Sequence, residues 1–129
     1  MEKTMQNKPH RFGELTPYFT VTDSDYFITF LSEVFAANIV KDSRYEDGTL
    51  QHARLQIGDS LIMLNQANGT YAAMQMQMHL NVANVDDTLA KAISKGATSI
   101  MKPMLRPHGD KMDGFCDPIG NIWWVAQMA

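Results

Sequence analysis

The sequence predicts an α+β fold in which two βαβββ modules form a curved mixed sheet around a cup-shaped cavity. The first observation is an internal repeat, because residues 21–41 fall without a gap on residues 82–102, at an offset of 61 positions. The second is that each copy carries an alternating strand, a helix-capping residue and an amphipathic helix, followed by strands that turn residues separate. Since 129 residues are the length of one domain, we expect the two modules to form a single domain together.

The predicted first module covers about residues 14–66 and follows a polar arm at residues 1–13. It opens with a strand at Thr16–Val21, in which polar and apolar residues alternate. Asp23 or Ser24 then caps a helix whose apolar side chains recur at three-and-four spacing: Phe27, Phe30, Leu31, Val34 and Phe35. The turn residues Gly58 and Asp59 separate two further strands, at Leu50–Ile57 and Ser60–Asn65.

The predicted second module covers about residues 74–128. Met74–Val82 alternates for nine positions, Asn84 caps the next helix, and Gly96 stands where a left-handed C-cap is expected. A turn near residues 118–121 separates the last two strands, Lys111–Asp117 and Ile122–Gln127. One inserted residue raises the offset to 62 in this part of the repeat, which aligns Ile62 with Trp124.

Alternation along the strands predicts which side chains share a face. One parity is apolar and is expected to lie beneath the helices: Phe19, Val21, Ala53, Leu55, Ile57, Met76, Met78, Leu80 and Val82. The other parity is polar and would line the cup. Together with the aromatic Trp124, and with Phe115 or Trp123 as further aromatic candidates, it supplies the predicted ligand-binding residues: Tyr18, Thr20, His52, Arg54, Gln77, His79 and Asn81.

Composition excludes several classes of protein. Apolar residues make up 45% of the chain and charged residues 19%, which is typical of a globular domain. The net charge of −3 argues against nucleic acid as a partner. Cys116 is the single cysteine, the N-terminus has no apolar signal core, and no apolar run reaches the ~18 residues of a membrane span. These features predict a cytoplasmic protein without a membrane partner.

The sequence resembles the vicinal oxygen chelate superfamily in its paired modules and in the segments Asp23–Leu31, His52–Ser60 and Asp117–Trp124. That superfamily includes glyoxalase I, fosfomycin-resistance enzymes, extradiol dioxygenases and bleomycin-binding proteins. The similarity covers about residues 15–127 and is strongest to the branch of phosphonate-operon and demethylubiquinone-methyltransferase-like proteins. The resemblance implies a homodimer, and the exposed strand edges of the predicted sheet favour such pairing.

The resemblance also implies where metal ligands would stand. Members that use a metal place ligands on the first strand of each module and on the last strand, four residues after the turn glycine. Those positions hold Thr16 and Gln77 on the first strands, and Ile62 and Trp124 on the last. One neutral amide, that of Gln77, does not hold a divalent cation, which takes three or four His or carboxylate ligands. We therefore expect no metal and no other cofactor.

Three functions follow from this reasoning. The first is a metal-independent protein that binds or sequesters a small aromatic or planar molecule. The second is a glyoxalase-like or dioxygenase-like enzyme that uses His52 and His79 as acid and base, or as a displaced metal site. The third is a structural role, with the cup plugged by Trp124.

Overall fold

The computed structural model describes residues 13–101, 104–105 and 110–127. Except for Gly13, the predicted polar arm lies outside these residues. The chain divides into two compact units, residues 1–74 and residues 75–129, and this division falls close to the predicted module boundary. Each unit contains one module of the repeat.

In its described residues, from Gly13 onward, the first unit has one helix and a four-stranded mixed sheet. Its elements are β1 (Tyr18–Val21), α1 (Ser24–Phe35), β2 (Asn38–Arg44), β3 (Leu50–Ile57) and β4 (Ser60–Gln66). The strand order is β1-β4-β3-β2, with β1 parallel to β4 and the other neighbours antiparallel. The two-residue turn between β3 and β4 begins with Gly58, whose φ of +58° is a conformation that side chains beyond glycine rarely adopt.

The second unit repeats this arrangement with shorter strands after its helix. Its elements are β5 (Gln77–Asn81), α2 (Val85–Ser94), β6 (Thr98–Ser99), β7 (Met104–Leu105), β8 (Lys111–Cys116) and β9 (Ile122–Gln127). The order is β5-β9-β8-β6, β7 also pairs with β8, and β5 runs parallel to β9. The predicted α+β fold of two repeated modules is confirmed.

Both helices begin as the sequence predicts. Asp23 accepts a hydrogen bond from the backbone N–H of Tyr26, and Asn84 accepts one from Asp87. A second acceptor at each N-terminus was not predicted. The side-chain oxygen of Gln66, at the end of β4, accepts from the backbone N–H of Ser24, and Gln127 at the end of β9 does the same for Val85. Each last strand therefore satisfies one of the N–H groups that a helix start leaves unpaired.

The faces predicted to lie beneath the helices carry the core of the first unit. Phe19, Ala53 and Leu55 have no exposed surface and pack under α1, whose buried side chains include Phe27, Phe30 and Leu31. The Phe19 and Phe27 ring centroids are 5.2 Å apart. Burying one such aromatic or aliphatic side chain stabilises the fold by about 1.5–3 kcal/mol. Helix α2 is less apolar, and its Ile93 side chain is 48% exposed.

Two predicted strands begin later than the sequence pattern suggests. The predicted strand Thr16–Val21 begins at Tyr18, because Pro17 has no N–H to add to a ladder and contributes only its carbonyl, which accepts from Met63. The predicted strand Met74–Val82 is shortened to Gln77–Asn81. Met74 is exposed and donates its N–H to the Thr20 carbonyl, and Met76 donates to the side chain of Asn121. Met74 is therefore not a core residue.

A five-residue turn whose first and last residues, Asp117 and Asn121, are buried joins β8 to β9. One oxygen of Asp117 accepts from the backbone N–H groups of Ile119 and Asn121, and the other accepts from the indole of Trp123 at 3.0 Å. Asn121, also buried, binds the backbone of Met76 just before β5. This turn therefore stabilises the second sheet.

No helix within the described ranges is long and apolar enough to cross a membrane.

Candidate functional site

The predicted binding residues of the first unit share the face of its sheet opposite α1, which we call the first helix-free face because the one helix described in this unit packs on the other side. Tyr18 and Thr20 project from β1, and His52 and Arg54 project from β3. The Tyr18 hydroxyl lies 3.2 Å from Nδ1 of His52, and Nε of Arg54 donates to Nε2 of His52 at 3.4 Å. The structure thus joins three of the four predicted side chains in one hydrogen-bonded chain.

The fourth residue, Thr20, is engaged elsewhere. Its hydroxyl donates to the side-chain oxygen of Asn65 at 2.7 Å. Sequence reasoning did not select Asn65, although it lies on β4 directly beside Thr20. We therefore expect Thr20 to hold Asn65 in place more than to contact a ligand.

Electrostatics keep His52 and Tyr18 neutral near pH 7. Burial, followed by the nearby charges of Arg54 and Lys41, lowers the pKa of His52. Burial, followed by Tyr71 and Tyr45, raises the pKa of Tyr18. The imidazole therefore retains a lone pair, and the phenol keeps its proton.

The predicted binding residues of the second unit lie on the corresponding face of its sheet, the second helix-free face. Gln77, His79 and Asn81 project from β5 and are exposed, and Trp124 projects from β9. The indole N–H of Trp124 donates to the side-chain oxygen of Gln77 at 3.0 Å. His52 and His79 thus belong to different units.

The indole of Trp124 lies across a glycine. Gly114 is the partner of Trp124 on β8, and a Cβ atom added to it would stand 2.6 Å from two carbon atoms of the indole. Such a distance is too short for real Cβ atoms, so the indole occupies its place only because residue 114 has no side chain. The same Cβ would lie 3.3 Å from a methyl group of Ile100. Gly114 and Gln77 together fix the orientation of the half-buried indole.

The strand register corrects one alignment that the sequence suggested. Trp124 pairs with His79 of β5, and the residue that pairs in the same way with Tyr18 of β1 is Met63. Ile62 instead pairs with Leu55 on the face beneath α1. The turn before β4 has two residues and the turn before β9 has five. The residue four positions after the turn glycine therefore lies on the face beneath α1 in β4 but on the helix-free face in β9. The predicted offset of 62 is therefore wrong for the last strands, β4 and β9. The offset of 61 holds there as well and aligns Met63 with Trp124.

Alternation along β8 and β9 also places the other two aromatic candidates, Phe115 and Trp123, away from the helix-free face. Trp123 and Phe115 pair with each other on the face beneath α2, and both are almost fully buried. They contribute to the core of the second unit and not to its helix-free face.

Cys116 donates its thiol to the Asp117 carbonyl, and burial followed by the charge of Asp117 raises the pKa of that thiol. A raised thiol pKa is the opposite of what a cysteine nucleophile needs.

Comparison with known proteins agrees with this architecture. The family model of the Glyoxalase/Bleomycin resistance protein/Dioxygenase superfamily matches residues 11–125. The chain belongs to this superfamily. An uncharacterized protein of Mycobacterium bovis is 29% identical over an aligned length of 124, and the alignment covers 88% of this chain and 82% of that protein.

Solved structures of the superfamily share the fold. TioX from Micromonospora sp. ML1 has a TM-score of 0.71 and 20% identity, over 91% of this chain and 97% of its own. The fosfomycin resistance protein FosX from Mesorhizobium loti has a TM-score of 0.66 and 18% identity, over 91% and 92%. The PhnB protein from Bacillus cereus has a TM-score of 0.68 and 18% identity, over 89% and 99%. At these identities the likeness concerns the fold alone.

The residues at the positions where the resemblance implies metal ligands do not fit a divalent cation. Thr16 precedes β1, Met63 takes the position that counting gave to Ile62, and the amide oxygen of Gln77 already accepts from Trp124. In the part of the chain that the structure describes, no three His, Cys, Asp or Glu side chains are grouped to hold a metal ion. A site of one amide and an indole lacks the charge and the ligand number that such a cation requires.

Proposed function

We propose that the protein is a metal-independent small-molecule-binding protein that binds or sequesters a small aromatic or planar ligand. The observation that carries this proposal is the indole of Trp124, which lies over Gly114 and is held by Gln77. Stacking of two aromatic rings contributes about 0.5–1.5 kcal/mol beyond the apolar area that it buries. Trp124 replaces a metal ligand of the superfamily with a surface suited to such stacking.

Orientation of the indole before binding supports the proposal. A mobile side chain costs about 0.5–1.5 kcal/mol when a ligand immobilises it. The hydrogen bond to Gln77 and the contact with Gly114 meet part of that cost during folding, so less of it is lost on binding. His79 and Asn81 are exposed on the same face and offer polar groups beside the ring, which is the mixture that small-ligand sites use.

The names of superfamily members also support a small-molecule ligand. FosX is named as a fosfomycin resistance protein, so at least one member with this fold is connected to a small molecule.

The proposal for this chain extends to a homodimer acting in the cytoplasm. The edge strand β2 supports pairing, because it is seven residues long and its Ile39 side chain is 52% exposed. Light scattering at micromolar concentration tests the dimer, and a 14.5 kDa species would contradict it.

The two tryptophans provide a test of ligand binding with an internal reference. In a ¹H–¹⁵N spectrum, the Trp124 indole signal should move and saturate on titration with 2-naphthylmethanol, quinoline or coumarin. The Trp123 indole donates to Asp117 in the core, so its signal should stay in place. Cyclohexylmethanol, which is not planar, should move neither signal.

Two variants complete this experiment. Trp124→Leu should abolish binding of the planar compounds, and Phe35→Leu, which removes a ring from α1, should leave their affinity unchanged. The proposal is overturned if the Trp124 signal stays fixed up to millimolar ligand. It is also overturned if binding appears only after Zn²⁺ or Ni²⁺ is added.

A further inference from the structure

The hydrogen bond between Trp124 and Gln77 fixes the orientation of the Gln77 amide. An indole nitrogen carries a hydrogen and has no lone pair to offer, so it donates and never accepts. The side-chain oxygen of Gln77 must therefore face the indole, and it does so at 3.0 Å. The other end of the amide, Nε2, carries two N–H donors. Gln77 thus presents donors, and not an acceptor, to a molecule that binds beside the ring.

These two donors are available within the part of the chain that the structure describes. There the side chain of Gln77 makes one hydrogen bond, the one from Trp124, and it is exposed. An exposed N–H group exchanges water for a ligand acceptor without leaving a buried group unpaired. A ligand acceptor at this point therefore gains a hydrogen bond at little cost to the protein.

The indole extends across the sheet from one neighbouring strand to the other. Its six-membered ring lies over Gly114 of β8, because Cε3 and Cζ3 are the atoms that an added Cβ would meet at 2.6 Å. Its Nε1 faces Gln77 of β5, on the other side of β9. A planar molecule stacked on the indole therefore has the Gln77 donors at its edge nearer β5.

The side chains that share this face with Trp124 favour an uncharged molecule. Apart from the imidazole of His79, β5 contributes amides to it. The positions of β8 and β9 on this face hold uncharged side chains or glycine: Met112, Gly114, Cys116, Ile122, Trp124 and Ala126. Lys111 and Asp113 of β8 lie on the opposite face, where Lys111 binds Asp86 of α2. A charged group on the ligand would meet no fixed counter-charge on these three strands.

We propose that the second helix-free face binds a neutral planar molecule with a hydrogen-bond acceptor at its edge, and that Nε2 of Gln77 donates to that acceptor. The acceptor is a ring nitrogen or a carbonyl oxygen. Gln77 then has two roles, since its oxygen holds the indole and its nitrogen selects the ligand. This inference rests on the proposed function and adds the chemical class of the ligand, using residues of the second unit alone.

Two flat compounds of the same shape test this inference. Quinoxaline has ring nitrogens that accept hydrogen bonds and stay unprotonated at pH 7, whereas naphthalene has no such acceptor. Gln77→Glu keeps an oxygen for the indole N–H and removes the donor. We expect this variant to lower the affinity for quinoxaline relative to naphthalene by about fivefold, the typical gain from one neutral hydrogen bond. Titration of the Trp124 indole signal measures both affinities.

The ratio of the two dissociation constants separates the hydrogen bond from the orientation of the ring, because a displaced indole weakens both compounds. Gln77→Met, which removes the oxygen as well as the donor, should lower the ratio to a similar extent. Gln51→Glu makes the same chemical change at an exposed position of β3 and should leave the ratio at its wild-type value. Coumarin, whose acceptor is a carbonyl oxygen, distinguishes the two kinds of acceptor by which compound loses affinity.

The outcomes separate this inference from the proposed function. If the planar compounds bind and the Gln77 variants weaken neither quinoxaline nor coumarin relative to naphthalene, the inference is overturned and the proposed function stands. An equal loss for all three compounds also overturns it, because Gln77 would then act only by holding the indole. If none of the three binds the wild-type protein, both proposals fail.

Discussion

An equivalent row of three residues crosses the helix-free face of each sheet, one residue from each of three neighbouring strands. The row consists of Tyr18, Met63 and Arg54 in the first unit, and of His79, Trp124 and Gly114 in the second. The first row carries a hydroxyl and a charge around a flexible thioether. The second places a large ring over a residue with no side chain. One backbone pattern thus supports a polar surface in one copy and an aromatic surface in the other.

The turns before the last strands differ in the same way. The first unit uses two exposed residues between β3 and β4, and the second uses a five-residue turn held by the buried side chain of Asp117. A duplicated module therefore keeps its strand pairing and its helix caps, while its turns and its helix-free faces diverge. The variants below test that division, beginning with the largest effect.

Asp117→Ala should cause the largest loss of stability. It leaves the N–H groups of Ile119, Asn121 and the Trp123 indole without their acceptor in a buried site. We expect the free energy of unfolding to fall by about 3–5 kcal/mol, measured by urea denaturation. The matched change in the first unit, Asp59→Ala, lies in an exposed turn and should cost less than about 0.5 kcal/mol. Equal losses would contradict the structural role of Asp117.

Gly114→Ala should move the indole of Trp124. The new methyl group would stand 2.6 Å from two ring carbons, so the ring must leave its place over β8. Overpacking of this kind costs about 1–3 kcal/mol and should also shift the Trp124 indole N–H signal. Gly69→Ala adds the same methyl group in open space and serves as the control. An unmoved Trp124 signal in the Gly114 variant would show that glycine is not required there.

Asp113→Ala should stabilise the protein at neutral pH. Asp113 is buried beneath α2, and its Oδ2 has no hydrogen-bond partner among the described residues. The equivalent position of the first sheet holds Ala53. Burial, followed by the charge of Asp86, raises the pKa of Asp113 above its ordinary value of 3.8. The carboxyl therefore favours folding in acid, and this contribution is lost as the pH rises through the folded pKa.

The size and pH dependence of that effect are both measurable. We expect a gain of about 1 kcal/mol in the free energy of unfolding at pH 7, and a smaller gain as the pH falls toward 4. Urea denaturation of the variant and the wild type across this range gives both values. A variant that is less stable at pH 7 would show that the carboxylate is satisfied in the folded state.

Ala36→Gly should give a small gain in stability. Helix α1 ends at Ala36 with φ of +56°, whereas α2 is followed by Gly96, which adopts a positive φ without strain. Replacing Ala36 should raise the free energy of unfolding by about 0.5–1 kcal/mol. The same substitution inside α2, Ala90→Gly, should lower it by about 1 kcal/mol. Two changes of the same sign would contradict the comparison of the helix ends.

Local patterns predicted the elements well and the contacts between strands poorly. The bounds of β3 and β9, both caps and the parity of the polar candidate binding residues follow from alternation and capping, whereas the aromatic candidates Phe115 and Trp123 lie on the opposite face. The offset at β4 failed because a turn of different length changes which face a counted residue reaches. Gly114 was missed because only the strand register brings it beside Trp124. The pair Gln66 and Gln127 could have been found, since the two residues stand 61 positions apart, at the ends of equivalent strands.

The central claim is that an oriented indole has replaced metal ligation on the second helix-free face. A crystal structure grown with both 2-naphthylmethanol and Zn²⁺ tests it most directly. We expect a naphthalene ring parallel to the indole of Trp124, with the indole still over Gly114 and bound to Gln77. A zinc ion bound by Gln77, His79 or His52, with Trp124 displaced from Gly114, would contradict it.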